Sequence, residues 1–304
     1  GRKIFIPNSI PGEEVVIQVV ADQQKYARGE IKEILVPSEQ RVEAACPHFG
    51  ICGGCSYQHI CYEAQVKYKE AILTEQLQRI GHFDLQKKMQ VFPARKTFGY
   101  RNVMQFHPLP NGKLGLMKRN SQEVFELKSC LLPQQRICES WQALDIDPES
   151  GITRVELRQN REDELMIILE GDDENMPEIY IDLPANVIHR GKNENVVVSG
   201  EEALTLWIKN TPFHLSAGSF FQVNDEMAEN LVSYLLSLVA LKKPHIALDL
   251  YAGVGLFSRF LAPQVEELIA IESSPAACRD FAYNLHTFQN VSLYKGAVEK
   301  ILPA

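Results

Sequence analysis

No run of about 18 consecutive apolar residues occurs anywhere in the chain, so no membrane-spanning helix is expected. No basic segment followed by an apolar run opens it, so no secretory leader is expected either. The chain opens Gly1-Arg-Lys-Ile without methionine and is expected not to begin at a native start. Cysteine is scarce, at seven residues, and clustered rather than spread. That excludes a disulfide framework and fits a reducing, cytoplasmic compartment with a metal or cluster site. Positive charge is also missing overall, because the net charge is −8. The deficit is uneven: residues 1–42 are neutral, residues 43–130 carry +5 and residues 131–304 carry −13. One basic segment in an acidic chain can still hold phosphates, since the local field matters more than the total.

What is present is a chain of 304 residues, 45% apolar, enough for a sizeable core and two or three domains. The stretch that organises the rest is Ala247-Leu-Asp-Leu-Tyr-Ala-Gly-Val-Gly-Leu-Phe257. Ile246 to Leu250 reads as a buried parallel strand, and Leu256 to Leu261 as the start of a helix. Strand, glycine turn and helix open a nucleotide-binding βαβ unit. A second strand, Leu268 to Ile271, ends in Glu272, whose carboxylate can accept from both ribose hydroxyls of a nucleoside. The third glycine of a dinucleotide fingerprint is absent and Tyr251 precedes Gly253, which favours S-adenosylmethionine (SAM), a cofactor without pyrophosphate.

Residues 3–41 read as short β-strands (Lys3–Ile6, Glu14–Ala21, Ala27–Val36), suggesting an OB-like barrel that is too short to close. Then comes Cys46-Pro-His-Phe-Gly-Ile-Cys52-Gly-Gly-Cys55, with Cys130 further on. Four thiolates suit zinc or a [4Fe–4S] cluster. Zinc ribbons pair two short knuckles and only one is short here, so three close ligands plus a remote one favour iron–sulfur. His48 and His59 read as supporting residues, and Cys61, Cys138 and Cys278 as small core residues. Tyr62 to Ile80 has helical spacing with Gly81 as a stop. Tyr100–Phe106, Lys113–Met117 and Glu123–Leu127 read as antiparallel strands, with Asn111-Gly112 as a hairpin turn. Arg101, Lys113, Lys118 and Arg119 alternate there with Tyr100 and Phe106, a mixture suited to RNA phosphates and bases. Strands continue from Thr153 to Ile208. The acidic stretch Asp172-Asp-Glu-Asn175 lacks EF-hand spacing and is not read as a calcium site. Gln222 with Phe220 and Phe221 precedes a helix from about Asp225 to Ala240, capped by Asn224. These three side chains could close over a cofactor, and core packing is the alternative for the phenylalanines.

Taken together in this order, the motifs resemble the RNA uracil-5-methyltransferases, in particular the iron–sulfur branch that acts on 23S ribosomal RNA. The residues carrying the resemblance are Cys46, Cys52, Cys55 and Cys130, Ser56-Tyr-Gln-His59, Tyr100-Arg-Asn102, Gly218-Ser-Phe-Phe-Gln-Val-Asn224 and Asp249-Leu-Tyr-Ala-Gly-Val-Gly255. The resemblance implies an α+β multidomain fold. Its parts are an N-terminal TRAM barrel (1–42), a central β-rich domain with the four-cysteine [4Fe–4S] site (43–215) and a Rossmann-like SAM domain (216–304). It implies that Gln222, Tyr251, Gly253, Gly255 and Glu272 contact SAM. The implied reaction is methylation of C5 of a uridine, in ribosomal RNA first and the T-loop of tRNA as the alternative. In that chemistry a cysteine thiolate adds to C6, C5 takes the methyl group, and a base removes the C5 proton so that the cysteine leaves. No Asp-Pro-Pro motif is present, and none of Cys61, Cys138 and Cys278 stands in a nucleophile motif. The nucleophile and base are therefore expected beyond Ala304, and this chain alone is expected to be a monomer without turnover. Ala297 stands where the family usually carries an aspartate toward the adenine. A non-catalytic iron–sulfur RNA-binding module, or a zinc protein with a Rossmann-like domain, are the competing readings.

Overall fold

The structure is a computed structural model that describes residues 3–85, 89–171, 181–192 and 195–302. The acidic stretch Asp172–Asn175 lies outside the described residues. The chain divides into two compact units, residues 1–97 with 116–125, and residues 98–115 with 126–304.

The first unit opens with β1 (Lys3–Phe5), β2 (Glu14–Asp22) and β3 (Tyr26–Val36), followed by α1 (Tyr62–Arg79). The strands form a three-stranded sheet, ordered β1-β3-β2, in which β2 and β3 are antiparallel and β1 runs parallel to β3. Three register shifts along β2 and β3 twist this pair. The Glu13 carboxylate ties the start of β2 to the segment after β3. It accepts from Arg41 Nε (2.5 Å) and Nη2 (2.7 Å), and from the amides of Ile10 and Ser38. With the Glu13 side chain 1% exposed, the guanidinium holds its pKa down at about 2.

Next in the chain come β4 (Val103–Pro108), β5 (Leu114–Met117) and β6 (Val124–Glu126), of which Leu116–Phe125 count with the first unit and the rest with the second. Then follow α2 (Gln135–Ala143), β7 (Ile152–Gln159), β8 (Leu165–Gly171), β9 (Asn186–Arg190) and β10 (Asn195–Ser199). The sheet order is β10-β9-β8-β7-β4-β5-β6. The β8–β9 pair is parallel, whereas β10–β9, β8–β7, β7–β4 and β4–β5 are antiparallel. Within the sheet, Leu165 to Leu169 of β8 are buried on both faces, which a run of five apolar residues permits. The Asn111-Gly112 turn lies in the β4–β5 loop as expected, with Gly112 at φ +80° and its amide donating to Leu109 O. Helix α2 was not expected. Its apolar anchors are only Ile137 and Trp141, one turn apart, and both are buried.

A hairpin follows, β11 (Ala203–Ile208) and β12 (Thr211–Ser216). Its two-residue turn, Lys209-Asn210, has φ +47° and +61°, the conformation that matches strand twist. Next come α3 (Asp225–Lys242), β13 (Ile246–Leu250), α4 (Leu256–Leu261), β14 (Glu267–Glu272), α5 (Pro275–Leu285), β15 (Val291–Lys295) and α6 (Val298–Ile301). Strands β13-β14-β15 form a parallel sheet in that order. Asn224 caps α3 as expected, its Oδ1 accepting from Met227 N at 3.1 Å. Among the described residues no helix is long and apolar enough to cross a membrane.

Candidate functional site

The glycine turn is built from backbone. Tyr251 at φ +59°, Gly253 at +57° and Gly255 at +90° carry the chain from β13 into α4. A Cβ at Gly255 would stand 2.3 Å from Leu285 Cδ1, so α5 packs against the turn too closely for any side chain. A Cβ at Gly253 would meet nothing within 4 Å, so the turn faces open space there. Glu272, at the end of β14, borders that space. Its Oε2 accepts from Gly253 N at 2.8 Å, and its Oε1 from Ser273 N and Ser274 N at 2.7 Å each. The carboxylate is thereby fixed in place beside the turn, with its remaining lone pairs free to accept from a nucleoside's ribose. Tyr251, exposed and in a left-handed conformation, donates its hydroxyl to Glu299 Oε1 of α6 at 2.5 Å. Beneath the turn, Asp249 is buried and accepts from Ser258 Oγ at 2.6 Å. Burial raises its pKa, and the serine hydrogen bond opposes that rise. The open glycine face and the anchored acidic residue fit SAM.

The second wall is Gly218 to Val223. The two phenylalanines divide their roles. Phe221 is buried against Phe213, with ring centroids 5.7 Å apart, while Phe220 is 69% exposed. Core packing therefore holds for one of the pair only. The Gln222 side chain is exposed, and its backbone carbonyl accepts from Asn102 Nδ2 at 3.0 Å. Asn102 also donates to Asp225 Oδ1 at 2.6 Å, and its amide donates to Val223 O. Tyr100-Arg-Asn102 thus does more than open the central sheet: it stitches β4 to the segment that carries Gln222.

Between these segments lies a cavity of about 400 Å³. Arg101, Arg158 and Arg190 line it with Glu156, Gln105 and Phe220. Arg158 donates to Ser216 O (3.0 Å), Ala217 O (3.1 Å) and the Glu156 carboxylate. Arg190 donates to Ala217 O and to Glu170 Oε1 at 2.5 Å. Gln105 Nε2 donates to Glu156 Oε2 at 2.6 Å. The Nε–H of Arg101 is buried without a hydrogen-bond partner among the described residues. An unpaired buried donor is costly, and a ligand acceptor would relieve it. Three guanidiniums against one carboxylate, with an exposed aromatic ring at the rim, make a lining suited to a base and its phosphates. Among the described residues no cysteine lines this cavity.

Of the four cysteines read as ligands, Cys46, Cys52 and Cys55 belong to the first unit and Cys130 to the second. Among the described residues no group of three His, Cys, Asp or Glu side chains is arranged to hold a metal ion. The local chemistry nonetheless fits thiolate ligation. Gly54 N donates to Cys52 Sγ at 3.3 Å, and Cys46 and Cys55 stand near enough to influence the Cys52 thiol. Burial is the main force raising that thiol's pKa. His59 is buried, stacked on Phe49 at 5.4 Å, and neither ring nitrogen has a hydrogen-bond partner among the described residues. Burial lowers its pKa, so it is neutral. Of the cysteines read as core residues, Cys278 is buried, while Cys61 and Cys138 are half-buried.

The fold gathers Glu272, the glycines and the Gly218–Gln222 loop, all singled out in the sequence, on one unit. Glu156, Arg158 and Arg190 were given no role there, although each stands on a strand.

The tRNA (Uracil-5-)-methyltransferase family matches residues 171–303. An uncharacterized RNA methyltransferase of Streptomyces coelicolor is 29% identical over 326 residues, covering 100% of this chain and 70% of that protein. One of Halalkalibacterium halodurans is 28% identical, covering 100% and 74%. Among solved structures, the Pyrococcus abyssi tRNA (uracil-54, C5)-methyltransferase in complex with S-adenosyl-L-homocysteine superposes with TM-score 0.70. It is 21% identical and covers 96% of this chain and 75% of that one, a likeness of fold.

Proposed function

Because the chain is a member of the RNA uracil-5-methyltransferase family, and so a SAM-dependent RNA methyltransferase, we propose that it positions a uridine of RNA for methylation at C5. The observation that carries this reading is the adjacency of two unlike surfaces in one unit: the open glycine turn with Glu272, and the arginine-lined cavity beside Phe220. Glu272, Gly253, Gly255, Tyr251 and Gln222 would hold SAM, which supplies an electrophilic methyl group on a sulfonium. Arg101 would donate to a base carbonyl or a phosphate, and Phe220 would stack on the extruded base. Arg158 and Arg190 fix the carbonyls of residues 216 and 217, and so the entry to the loop between the two ligands.

The covalent route, with a thiolate adding to C6, is part of this proposal. Among the described residues no cysteine lines the cavity, and the chain is proposed to bind SAM and RNA without turnover by itself. The substrate proposed first is 23S ribosomal RNA, by resemblance of the cysteine-bearing segment. Uridine 54 of tRNA, the nucleotide named for the Pyrococcus abyssi protein, is the alternative. The division into an RNA-binding segment (1–42), a cluster-bearing segment (43–215) and a SAM segment (216–304) is proposed with it. So is the iron–sulfur centre, which the Gly54 amide on Cys52 sulfur supports. Calorimetry with SAM, followed by competition between ribosomal and tRNA fragments, tests the reading. SAM binding with a preference for one RNA supports it, and absence of SAM binding ends it. Iron and sulfide analysis of anaerobically purified protein tests the cluster, and zinc in their place overturns it.

A further inference from the structure

The two walls of the cofactor site are joined by one buried amide on α5. Asn284 is 5% exposed. Its Nδ2 donates to Val254 O, inside the glycine turn, at 2.9 Å, and to His214 O on β12 at 3.1 Å. Its Oδ1 accepts from His214 N at 2.8 Å. All three hydrogen-bonding sites that a side-chain amide commonly fills are thus taken by backbone, two on β12 and one on the turn. One helical turn earlier, Asp280 is 2% exposed and accepts from Ser216 N and Ser216 Oγ at 2.9 Å each. Ser216 Oγ lies 3.3 Å from Ser219 Oγ in the Gly218–Gln222 loop. Residues 280 and 284 therefore share one helix face, and that face grips the strand that delivers the loop.

We infer that Asn284 is a positioning residue for cofactor binding, setting the glycine turn and the Gly218–Gln222 loop at a fixed separation. The inference rests on the reading that these two segments hold SAM. One fact makes the amide more than generic core glue. The Val254 carbonyl lies between the positive-φ residues Gly253 and Gly255 and accepts from Asn284 Nδ2, so the amide anchors it to α5. Loss of the anchor frees the turn to move relative to β12 without unfolding either element.

Asn290 provides a matched control. Its Nδ2 also donates to two backbone carbonyls in the same unit, Ala262 O at 2.8 Å and Val265 O at 2.9 Å, but neither belongs to the cofactor turn or the loop. The experiment compares wild type, Asn284→Ala, Asn284→Asp and Asn290→Ala by SAM calorimetry, thermal melting and amide hydrogen exchange. Asn284→Asp keeps the acceptor for His214 N and removes both donations, so it preserves β12 attachment if the alanine variant fails to fold. The expected result is a loss of SAM affinity of about tenfold or more in the Asn284 variants, with faster exchange at residues 252–255. Asn290→Ala is expected to melt earlier yet keep SAM affinity within about twofold. Equal loss of SAM affinity in Asn284 and Asn290 variants overturns the inference, as does unchanged affinity in both Asn284 variants. Wild type that fails to bind SAM overturns the cofactor reading itself, so the two failures are distinct.

Discussion

The glycine turn and the arginine cavity share residues 216–223 as a boundary but are made of different material. The turn is a local object. Eleven consecutive residues build it, its key groups are backbone amides, and the carboxylate that fixes them, Glu272, arrives from the neighbouring strand. The cavity is the reverse. Arg101 precedes β4, Glu156 and Arg158 share β7, and Arg190 ends β9; Glu156, Arg158 and Arg190 are held by side-chain hydrogen bonds to a carbonyl or to another side chain, whereas the Arg101 Nε–H has no partner among the described residues. A backbone site tolerates change at exposed side chains but no added atom where the chain is closely packed. A side-chain site tolerates backbone adjustment but not loss of a charge partner.

The sharpest test of that contrast is Gly255→Ala. The new Cβ would enter the space of Leu285 and Phe281 at φ +90°. A loss of about 3 kcal/mol in stability is expected, with SAM binding abolished. Gly253→Ala meets no neighbour, so it is expected to cost only about 1 kcal/mol, yet to obstruct SAM. Chemical denaturation with and without SAM separates the two. Nearly as large is Arg158→Met, which strands the buried Glu156 carboxylate and releases the carbonyls of residues 216 and 217. A destabilisation of about 3 kcal/mol is expected. If Gly255→Ala proves mild while Arg158→Met is severe, the turn is not the rigid part of the site.

Smaller effects sharpen the comparison from the RNA side. Phe220→Ala changes an exposed ring, so stability should move by less than about 0.5 kcal/mol while RNA affinity falls by about 1–3 kcal/mol and SAM affinity holds. Filter binding and calorimetry on the same variant read both. The smallest expected effect is in pH dependence, where direction matters more than size. Asp249 has its pKa raised in the folded state, so the native protein binds its proton more readily than the unfolded chain. Its share of stability therefore grows as pH falls through the folded value, and Asp249→Asn should remove that growth. Glu13 in the first unit has the opposite sign. Its contribution is full above pH 4.5 and is lost as pH falls towards about 2. Acid titration of wild type, Asp249→Asn and Glu13→Gln should show slopes of opposite sign for the two residues.

The same contrast explains what could be read from residue order. Strand β13, α4 and β14 follow the expected bounds closely because apolar runs and glycines specify them within short windows. Asn224 at the start of α3 was legible for the same reason. Strand β12 was missed, because Thr211-Pro-Phe-His-Leu-Ser216 opens with a proline and its tight turn contains neither glycine nor proline. Helix α2 was missed because only two anchors mark its buried face. The cavity was not legible at all. Arg158 sits in a strand that reads as alternating, and nothing in its neighbours tells that the opposite partner is a carbonyl from residue 216.

The Lys209-Asn210 turn has a bearing on the order in which these parts assemble. A hairpin closed by two residues forms in about 1–10 μs, since little chain entropy stands against it. Strands β4 and β7 pair Val103 with Arg158, a span that must be closed before the cavity exists. Hairpin β11–β12 is thus placed to form early and present Ser216 as a ready ledge. Arg158 and Arg190 reach the carbonyls of residues 216 and 217 through the longer β4–β7 closure, so refolding is expected to protect the hairpin amides before those of β7, as pulsed hydrogen exchange would show.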